Sequence, residues 1–264
     1  MSIFMDTGVC VYFSVIAFLF GAVMGSFLNC AAWRIAHKEN FLKGRSRCPQ
    51  CGHVLGVADL FPLFSYLFLR GKCRYCKAKI PVRYFLTELF FALLTLGCLW
   101  RFDLTPLCLR NYVFLCVLFV LSLVDLEIFE IPDGCHIIAA IAWLAYLPFA
   151  PAPLETLKNG LLAALLFGGG LLVLSLHMDK LLKKESLGGG DIKLYAVVGL
   201  YLGIVGTLFS LIIACLCGLV FALVKRVVFG GGEKMIPFGP SIAAAACLML
   251  FFGEKLVNWY LSLL

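Results

Sequence analysis

The chain has 264 residues, of which 62% are hydrophobic and only 14% are charged, and its mean hydropathy is +1.01. Soluble domains are about half apolar and about a quarter charged, so this composition excludes a soluble globular protein and indicates an integral membrane protein. The net charge of +7 favours contact with anionic membrane lipids and predicts no nucleic-acid partner, because basic residues beside spans also set membrane orientation.

Eight apolar stretches are candidates for transmembrane helices, which need roughly 20 mostly apolar residues each. The predicted fold class is therefore all-α, a polytopic membrane protein with about eight transmembrane helices. The first stretch lacks a basic segment before it and a cleavage site after it, so it is predicted to be a retained span. The sixth is short, and its boundary with the seventh falls near Gly203 and Gly206. The stretches are 9–33, 84–100, 110–126, 132–149, 157–178, 191–203, 205–224 and 238–260.

Basic residues predict the orientation of these spans. Residues 34–83 hold 11 of the 22 Lys and Arg residues, and only Glu39 and Asp59 oppose them. The positive-inside rule places this segment in the cytoplasm, so the N-terminus is predicted to be periplasmic. Alternation of the spans then puts the segments 125–131, 179–190 and 225–237 on the cytoplasmic side. Lys43 and Lys234 are among the residues that support this assignment.

The cytoplasmic segment contains two pairs of cysteines, Cys48 with Cys51 and Cys73 with Cys76, separated by 21 residues. This spacing is typical of a closed tetrahedral site and predicts a zinc-ribbon-like loop that holds a structural Zn²⁺. Redox pairs or incidental thiols are the alternatives, although a cytoplasmic location disfavours disulfides. The other nine cysteines are predicted to act as small buried apolar residues: Cys10, Cys30, Cys98, Cys108, Cys116, Cys135, Cys215, Cys217 and Cys247.

Two carboxylates are predicted to lie at membrane depth. Asp125 ends one apolar run, and Asp191 follows three glycines, Gly188 to Gly190, and opens another. An ionisable residue at this depth indicates a functional site, and the topology puts both carboxylates near the cytoplasmic face. Two carboxylates that share a proton can act as base and acid in peptide hydrolysis. The alternative for Asp191 is that it only caps the following helix after a flexible glycine loop.

Three other ionisable residues have less specific interpretations. Asp133 rivals Asp125, but Pro132 predicts a helix start, and an aspartate in a first turn is favoured by the helix dipole. Lys193 is predicted to tune the charge of Asp191 or to contact lipid phosphate. Glu88 is predicted either to bind a basic substrate segment or to pair with a cation such as Arg83. The apolar stretch 59–69 is either core around the zinc or an amphipathic segment on the membrane surface.

Six sequence motifs, in order along most of the chain, resemble those of the prepilin leader peptidases of type IV pilus and type II secretion systems. The second aspartate motif, around Asp191, also occurs in other intramembrane aspartyl proteases. One small departure is His136, where a plainer apolar or hydroxyl residue is expected. The motifs are Gly25-Ser-Phe-Leu-Asn29 with Arg34, the two cysteine pairs with Arg70-Gly-Lys-Cys73 between them, Arg83 to Leu89, Asp125 with Ile131-Pro-Asp133, Gly188-Gly-Gly-Asp191-Ile-Lys193, and Met235-Ile-Pro-Phe-Gly-Pro240.

The resemblance implies that Asp125 and Asp191 are the catalytic pair of a prepilin peptidase in the bacterial inner membrane. Its substrate would be a type IV prepilin or pseudopilin whose short basic leader ends in glycine before a hydrophobic helix. Family members commonly also methylate the new N-terminus with S-adenosylmethionine. No glycine-rich fingerprint for that cofactor is present, so its binding residues stay unassigned. The predicted regions are 1–83, associated with methyl transfer, and 84–264, the aspartyl peptidase.

Three other functions are compatible with parts of the sequence. A proton-coupled transporter could use Asp125 and Asp191 as a relay, and an inverted repeat would favour it, but the sequence shows none. A zinc-bearing scaffold without catalysis would tolerate replacement of both aspartates. A presenilin-type protease would share the second aspartate motif, but the four-cysteine loop favours the prepilin peptidases.

Overall fold

The computed structural model describes residues 7–40, 44–48, 50–184, 187–229 and 236–263. The described residues form helices and no strand, apart from two isolated bridges in the cysteine loop. The predicted all-α class is therefore confirmed. Lys43 and Lys234, which supported the orientation, and Met235 of the last motif lie outside the described residues.

The helices of the described part differ widely in length. Two single 3₁₀ turns, Val57–Asp59 and Leu147–Phe149, and one π-helical turn, Leu165–Gly169, join or extend them. The α-helices are α1 (Thr7–Ala36), α2 (Phe64–Phe68), α3 (Val82–Phe102), α4 (Pro106–Ile128), α5 (Asp133–Tyr146), α6 (Pro153–Ala164), α7 (Gly170–Leu182), α8 (Gly189–Phe229) and α9 (Gly239–Leu261).

Six helical segments of the described residues are long and apolar enough to cross a membrane: Thr7–Ala36, Val82–Phe102, Pro106–Ile128, Pro153–Leu182, Gly189–Val227 and Gly239–Leu261. A seventh, Asp133–Phe149, is apolar but shorter. The α8 segment changes direction at Gly203, whose φ of 67° and ψ of −173° are not helical. Its two arms correspond to the predicted sixth and seventh stretches, so every predicted stretch coincides with a helix or a helical arm.

Gly203 can adopt this conformation because it has no side chain. A Cβ at this position would lie 2.6 Å from Nδ2 of Asn159. The same Asn159 side chain accepts a hydrogen bond of 3.4 Å from the backbone N–H of Ile204 through its Oδ1. The asparagine on α6 therefore satisfies a backbone donor where the α8 ladder is interrupted, as is required at membrane depth.

The chain divides into two compact units, Met1–Cys108 and Leu109–Leu264, here called the N-terminal and C-terminal units. In the N-terminal unit, α1 packs against α3 through small residues. A Cβ at Gly21 would lie 2.6 Å from Oγ1 of Thr95, and one at Gly25 would lie 3.0 Å from Cβ of Phe91. Glycines of this kind let two apolar helices approach closely.

In the C-terminal unit, α8 packs against α5, α6 and α9. Large side chains such as Trp143, Tyr195 and Phe114 are fully buried there. The arm of α8 that follows Asp191 is well packed, because Leu194, Tyr195 and Val198 are almost fully buried. The predicted functional regions, 1–83 and 84–264, remain a prediction.

Candidate active site and metal centre

Asp125 lies in the last turn of α4, after a run of buried apolar residues. Only 5% of its surface is exposed, so its carboxylate needs hydrogen-bond donors from the protein. Its Oδ2 accepts a hydrogen bond of 2.8 Å from the backbone N–H of Gly239, at the start of α9. A Cβ at Gly239 would lie 2.7 Å from the same oxygen, so a glycine is needed for this contact.

Asp191 lies in the first turn of α8 and is the third residue of that helix. Gly189 and Gly190 are already helical, so the alternative that Asp191 caps the helix after a flexible loop is wrong. Gly190 packs tightly, because a Cβ there would lie 3.0 Å from Cβ of Ile131. Gly190 therefore lets the start of α8 approach the segment between α4 and α5 closely.

The two aspartates line the same cavity of about 470 Å³ in the C-terminal unit. The topology predicted that these carboxylates, 66 positions apart in sequence, would lie near the same membrane face, and in the structure both line one cavity. Glycine backbone forms one wall, and the segment between α4 and α5 forms another. The residues that line the cavity are Asp125, Phe129, Glu130, Ile131, Pro132, Asp133, Gly188, Gly189, Gly190, Asp191 and Lys193.

Asp133 and Lys193 form an ion pair at this cavity, with 2.7 Å between Oδ1 of Asp133 and Nζ of Lys193. Asp133 is the first residue of α5, with Pro132 before it, as the sequence predicted. Both side chains are more than half exposed, whereas Asp125 is buried. Lys193 therefore has a carboxylate partner other than Asp191, and Asp133 is not a second buried acid.

Two contacts at this site were not predicted from the sequence. The first is the Gly239 N–H donor. Its signal was the Phe238-Gly-Pro240 motif, which places a helix start, but a sequence does not show where that backbone N–H points. The second is His136, which is buried, with its Nδ1 3.8 Å from Oδ1 of Asp133. The residue that departs from the family motif, His136, therefore lies beside the Asp133–Lys193 ion pair.

The four cysteines of the N-terminal unit form one cluster, in which all four sulfur atoms lie within 4.8 Å of one another. Cys48 and Cys76, one from each pair, have their sulfur atoms 3.8 Å apart. Four thiolates at about 2.3 Å from a tetrahedral zinc ion would be about 3.8 Å apart. The sulfur positions thus suit a tetrahedral metal ion, and the four residues could hold one.

Each cysteine pair sits in a similar turn. The N–H of Gly52 donates to the carbonyl oxygen of Cys48, and the N–H of Lys77 donates to that of Cys73. Backbone N–H groups of Cys51 and Gln50 lower the pKa of Cys48 to about 7. An N–H from Ala78 acts in the same direction on Cys76, but burial and the neighbouring thiols outweigh it and raise its pKa to about 11. Clustered thiols cannot all ionise cheaply without a cation, and a metal ion supplies that charge.

Asp59 links the segment between the two cysteine pairs to the turn of the second pair. Its Oδ1 lies 2.7 Å from Nε of Arg74, and its Oδ2 accepts hydrogen bonds from the Gly56 N–H and the Tyr75 hydroxyl, both at 3.1 Å. Burial raises the pKa of this carboxyl, but these donors and the Arg74 charge outweigh it, so the pKa lies below its usual value. These contacts are therefore strongest when Asp59 is ionised.

The apolar stretch 59–69 has both buried and exposed residues, and its two predicted roles stay predictions. Leu63 is buried against Ala22 and Ala92 of α1 and α3, while Phe61 and Phe68 are exposed, Phe68 by 83%. Glu88 accepts a hydrogen bond of 2.9 Å from the backbone N–H of Leu63, which has a φ of 63°. Glu88 thus holds the loop against α3 through a backbone donor, a partner that the sequence did not predict.

The fold and the site define a class of protein. It is a polytopic helical membrane protein with two carboxylates in one cavity and a four-cysteine loop. Residues 19–102 match the family described as Bacterial Peptidase A24 N-terminal domain, and residues 112–223 match the Type IV leader peptidase family. The first match includes the four cysteines, and the second includes Asp125 and Asp191.

Curated relatives match over nearly the whole chain. The protein named prepilin leader peptidase/N-methyltransferase of Bacillus subtilis (strain 168) is 32% identical, over 94% of this chain and 98% of the relative. Proteins with the same name from Aeromonas salmonicida (strain A449) and Neisseria gonorrhoeae are 32% and 28% identical and also cover more than nine-tenths of both chains. No solved structure matches the chain. The chain belongs to the prepilin leader peptidase family, as its motifs predicted.

Proposed function

We propose that this protein cleaves the leader peptide from type IV prepilins or pseudopilins, with Asp125 and Asp191 as the catalytic pair. Membership of the family supports the reaction. The observation that carries the residue assignment is the shared cavity, which both carboxylates line together with the glycines before Asp191. Asp125 and Asp191 also lie within the matched peptidase region, residues 112–223.

The proposed chemistry is hydrolysis without a covalent intermediate. One carboxylate of the pair takes a proton from a water molecule as its oxygen attacks the carbonyl carbon of the scissile peptide bond. The other, protonated, carboxyl group donates a proton to the leaving nitrogen as the C–N bond breaks. The products are the leader with a new carboxylate and the mature chain with a new amine. The pair returns with one shared proton, ready for another cycle.

Neighbouring groups would orient this pair. The Gly239 N–H fixes the direction of the Asp125 carboxylate through a bond of 2.8 Å. The Asp133–Lys193 ion pair joins the first turns of α5 and α8 at the cavity. Reactions of this type depend on atoms held to within about 0.5 Å, so groups that fix the carboxylates belong to the catalytic machinery even without touching substrate.

We further propose that the new N-terminal amine is methylated, with S-adenosylmethionine as the donor. Bound, this cofactor would supply an electrophilic methyl group. The match to the A24 N-terminal domain and the relatives' names support this second activity. Two polar side chains near the α1–α3 contact have protein partners, since Asn29 Nδ2 donates to Thr87 Oγ1 at 3.0 Å and Glu88 accepts from the Leu63 N–H. No residue is assigned to the cofactor.

The metal of the cysteine cluster is proposed to be Zn²⁺ in a structural role. Cys48, Cys51, Cys73 and Cys76 would occupy all four positions of a tetrahedral ion, which leaves none for substrate. Bound zinc would stabilise the thiolates and tie the two turns of the loop together. Among its described residues the loop has few that are apolar and buried, so the metal would supply much of its order.

The six apolar helices indicate a multi-pass membrane protein, and the family belongs to the bacterial inner membrane. We propose that the cysteine loop and the Asp125–Asp191 cavity face the cytoplasm and that the N-terminus is periplasmic. The concentration of Lys and Arg in residues 34–83 supports this orientation. The same residues would attract anionic lipids. No nucleic-acid partner is proposed. The comparisons do not support the transporter alternative.

The test uses the purified protein in detergent with a prepilin-like peptide whose basic leader ends in glycine before an apolar helix. Mass spectrometry should show one cut after that glycine and, with added S-adenosylmethionine, a methyl group on the new N-terminus. A peptide of the same composition with a scrambled junction is the control. An intact peptide with folded, zinc-loaded protein would contradict the proposed reaction. Cleavage without methylation would contradict only the second activity.

A further inference from the structure

We propose that Cys98 and Cys108 form a disulfide bond between the end of α3 and the start of α4. Their sulfur atoms lie 3.8 Å apart. Each sulfur also lies 3.7 Å from the backbone carbonyl oxygen of the other cysteine. The sequence predicted both residues to be small apolar fillers of spans, and this mutual contact gives them a different role.

The two residues are placed for a short covalent link. Cys98 lies in the last two turns of α3, and Cys108 lies in the first turn of α4. A disulfide has its sulfur atoms about 2 Å apart, so bond formation requires the two sulfur atoms to approach by about 2 Å. Cys98 is only 1% exposed, whereas Cys108 is partly exposed. An oxidant can therefore reach the pair through Cys108.

A metal site does not explain this pair. Within the part of the chain that the structure describes, the four-cysteine cluster is the one group of three or more His, Cys, Asp or Glu residues that could hold a metal ion. Cys98 and Cys108 together offer two sulfur ligands, fewer than the four of a structural zinc site. Two thiols this close to each other can be oxidised to a disulfide.

The membrane position of the pair favours oxidation, given the orientation proposed above. Helix α3 begins at Val82, immediately after the basic cysteine loop. Cys98 is 16 residues further along, which is about 24 Å of helix rise and most of a bilayer core. A cytoplasmic loop therefore puts Cys98 and Cys108 near the periplasmic surface, where disulfides form and persist. The chain would thus carry reduced, metal-bound cysteines on one face and an oxidised pair on the other.

The reaction balances with an external disulfide as the oxidant. The thiolate of Cys108 attacks the disulfide of a periplasmic thiol oxidase and forms a mixed disulfide, releasing one oxidase thiolate. The Cys98 thiolate then attacks the sulfur of Cys108 and releases the second oxidase thiolate. The pair loses two electrons and two protons, and the oxidase dithiol gains them. The product closes a short loop that contains Arg101, Asp103 and Thr105.

Differential alkylation of the full-length protein tests the proposal. Cells are quenched in acid, and membranes are alkylated in denaturant with a light reagent, reduced, and then alkylated with its heavy isotopologue. We expect the heavy label on Cys98 and Cys108 in most molecules and the light label on Cys30 and Cys135. A light label on Cys98 and Cys108 in most molecules would overturn the proposal. A heavy label spread equally over all four would also overturn it, because that indicates non-specific oxidation.

A stability measurement gives a second readout. The phosphine reductant TCEP should lower the Tm of the zinc-loaded wild-type protein, because the cross-link no longer restricts the unfolded chain. The Cys98→Ser/Cys108→Ser double variant should start at the lower Tm and show no response to TCEP. Equal responses of the two proteins would overturn the proposal. The peptidase assay on the same samples should be unaffected, so failure here is distinguishable from failure of the proposed function.

The orientation on which the inference rests is tested separately. In the double serine variant, Asp103→Cys introduces a thiol into the same loop. A membrane-impermeant maleimide should label it in intact spheroplasts. Labelling only after permeabilisation would show that the loop is cytoplasmic and would overturn the disulfide. It would also reverse the proposed orientation but would leave the cleavage assay in detergent untouched.

Discussion

The carboxylate of Asp125 and the backbone N–H of Gly239 form a hydrogen bond of 2.8 Å across 114 positions of sequence. The bond joins the end of α4 to the start of α9. Residue 239 has no Cβ, and one there would lie 2.7 Å from the accepting oxygen, so an added side chain would displace the Asp125 carboxylate. The proposed catalytic pair therefore depends on a helix that contributes neither aspartate.

Gly239→Ala should lower kcat for leader cleavage by about 100-fold or more, since displacements of about 1 Å in an active site can cost that much. The new Cβ would push the Asp125 carboxylate away from its position, while the peptide KM should change little. Steady-state kinetics with the prepilin-like peptide measures both parameters.

Gly253→Ala is the matched control on the same helix. A Cβ there would meet the flexible end of Met249 at 3.1 Å, so its kcat should stay close to the wild-type value. Comparable losses in the two variants would show that α9 tolerates no added side chain and would remove the specific role of Gly239.

The Asp133–Lys193 pair should tune activity without being essential. Both groups are largely exposed, and exposed ion pairs contribute little to stability. Asp133→Asn and Lys193→Gln should each lower kcat by less than about tenfold, and the double variant should lose no more than the more affected single variant, because each single change already removes the pair. Kinetics of the four proteins at two salt concentrations measures the coupling. An Asp133→Asn variant as inactive as one at Asp125 would make Asp133 a catalytic candidate.

Removal of the cysteine-bound metal should disorder the loop of the N-terminal unit. Elemental analysis of purified protein should give about one zinc per chain, as expected for one four-cysteine site. Cys51→Ser should lose most of that zinc and expose residues 50–80 to limited proteolysis, because structural zinc supplies folding free energy. Added chelator should reproduce the effect in the wild-type protein.

Cys215→Ser provides the control, since Cys215 is also an exposed cysteine but lies on α8, outside the cluster. It should keep the full zinc content and the wild-type cleavage pattern. Full zinc content in Cys51→Ser would mean that the four-cysteine assignment is wrong.

Asp59 should make loop stability depend on pH. Its pKa is lower in the folded state than in the unfolded chain, so its contribution is fully present above the unfolded value of about 3.9 and is lost as pH falls through the folded pKa. The Tm advantage of wild type over Asp59→Asn should therefore be constant from pH 7 to about pH 5 and shrink at lower pH.

The difference between the two proteins cancels effects of acid on the zinc thiolates, which both share. Limited proteolysis of the loop, measured at increasing temperature, gives the Tm of the loop at each pH. A Tm difference between wild type and Asp59→Asn that grows on acidification would have the wrong sign. It would contradict a stabilising ion pair between Asp59 and Arg74.

Hydropathy and spacing were enough to predict much of this protein. Long apolar runs are helical at membrane depth because the backbone must satisfy its own hydrogen bonds there. The cysteine pairs lie in tight turns, and their spacing brings all four sulfur atoms together. Counting spans predicted that Asp125 and Asp191 would lie near the same membrane face, since one ends an inward-running span and the other begins an outward-running one.

Contacts made by backbone groups could not be predicted in the same way. The Gly239 N–H, the Leu63 N–H that Glu88 accepts, and the Ile204 N–H beside Asn159 all depend on where a helix starts or breaks. A sequence indicates the helix but does not show which neighbour its free N–H faces. The 3.8 Å contact between Cys98 and Cys108 was likewise hidden, because each cysteine also suits an apolar helix.

The central claim is that Asp125 and Asp191 act together as the catalytic pair. The most direct measurement is the cleavage rate of Asp125→Asn, Asp191→Asn and the Glu127→Gln control, at equal folded concentrations. Both aspartate variants should be slower than wild type by about 10⁴-fold or more, and the double variant no slower than either, because residues that act as a unit are non-additive. Glu127 is exposed and does not line the cavity, so its variant should cleave normally. Substantial cleavage by either aspartate variant would contradict the account.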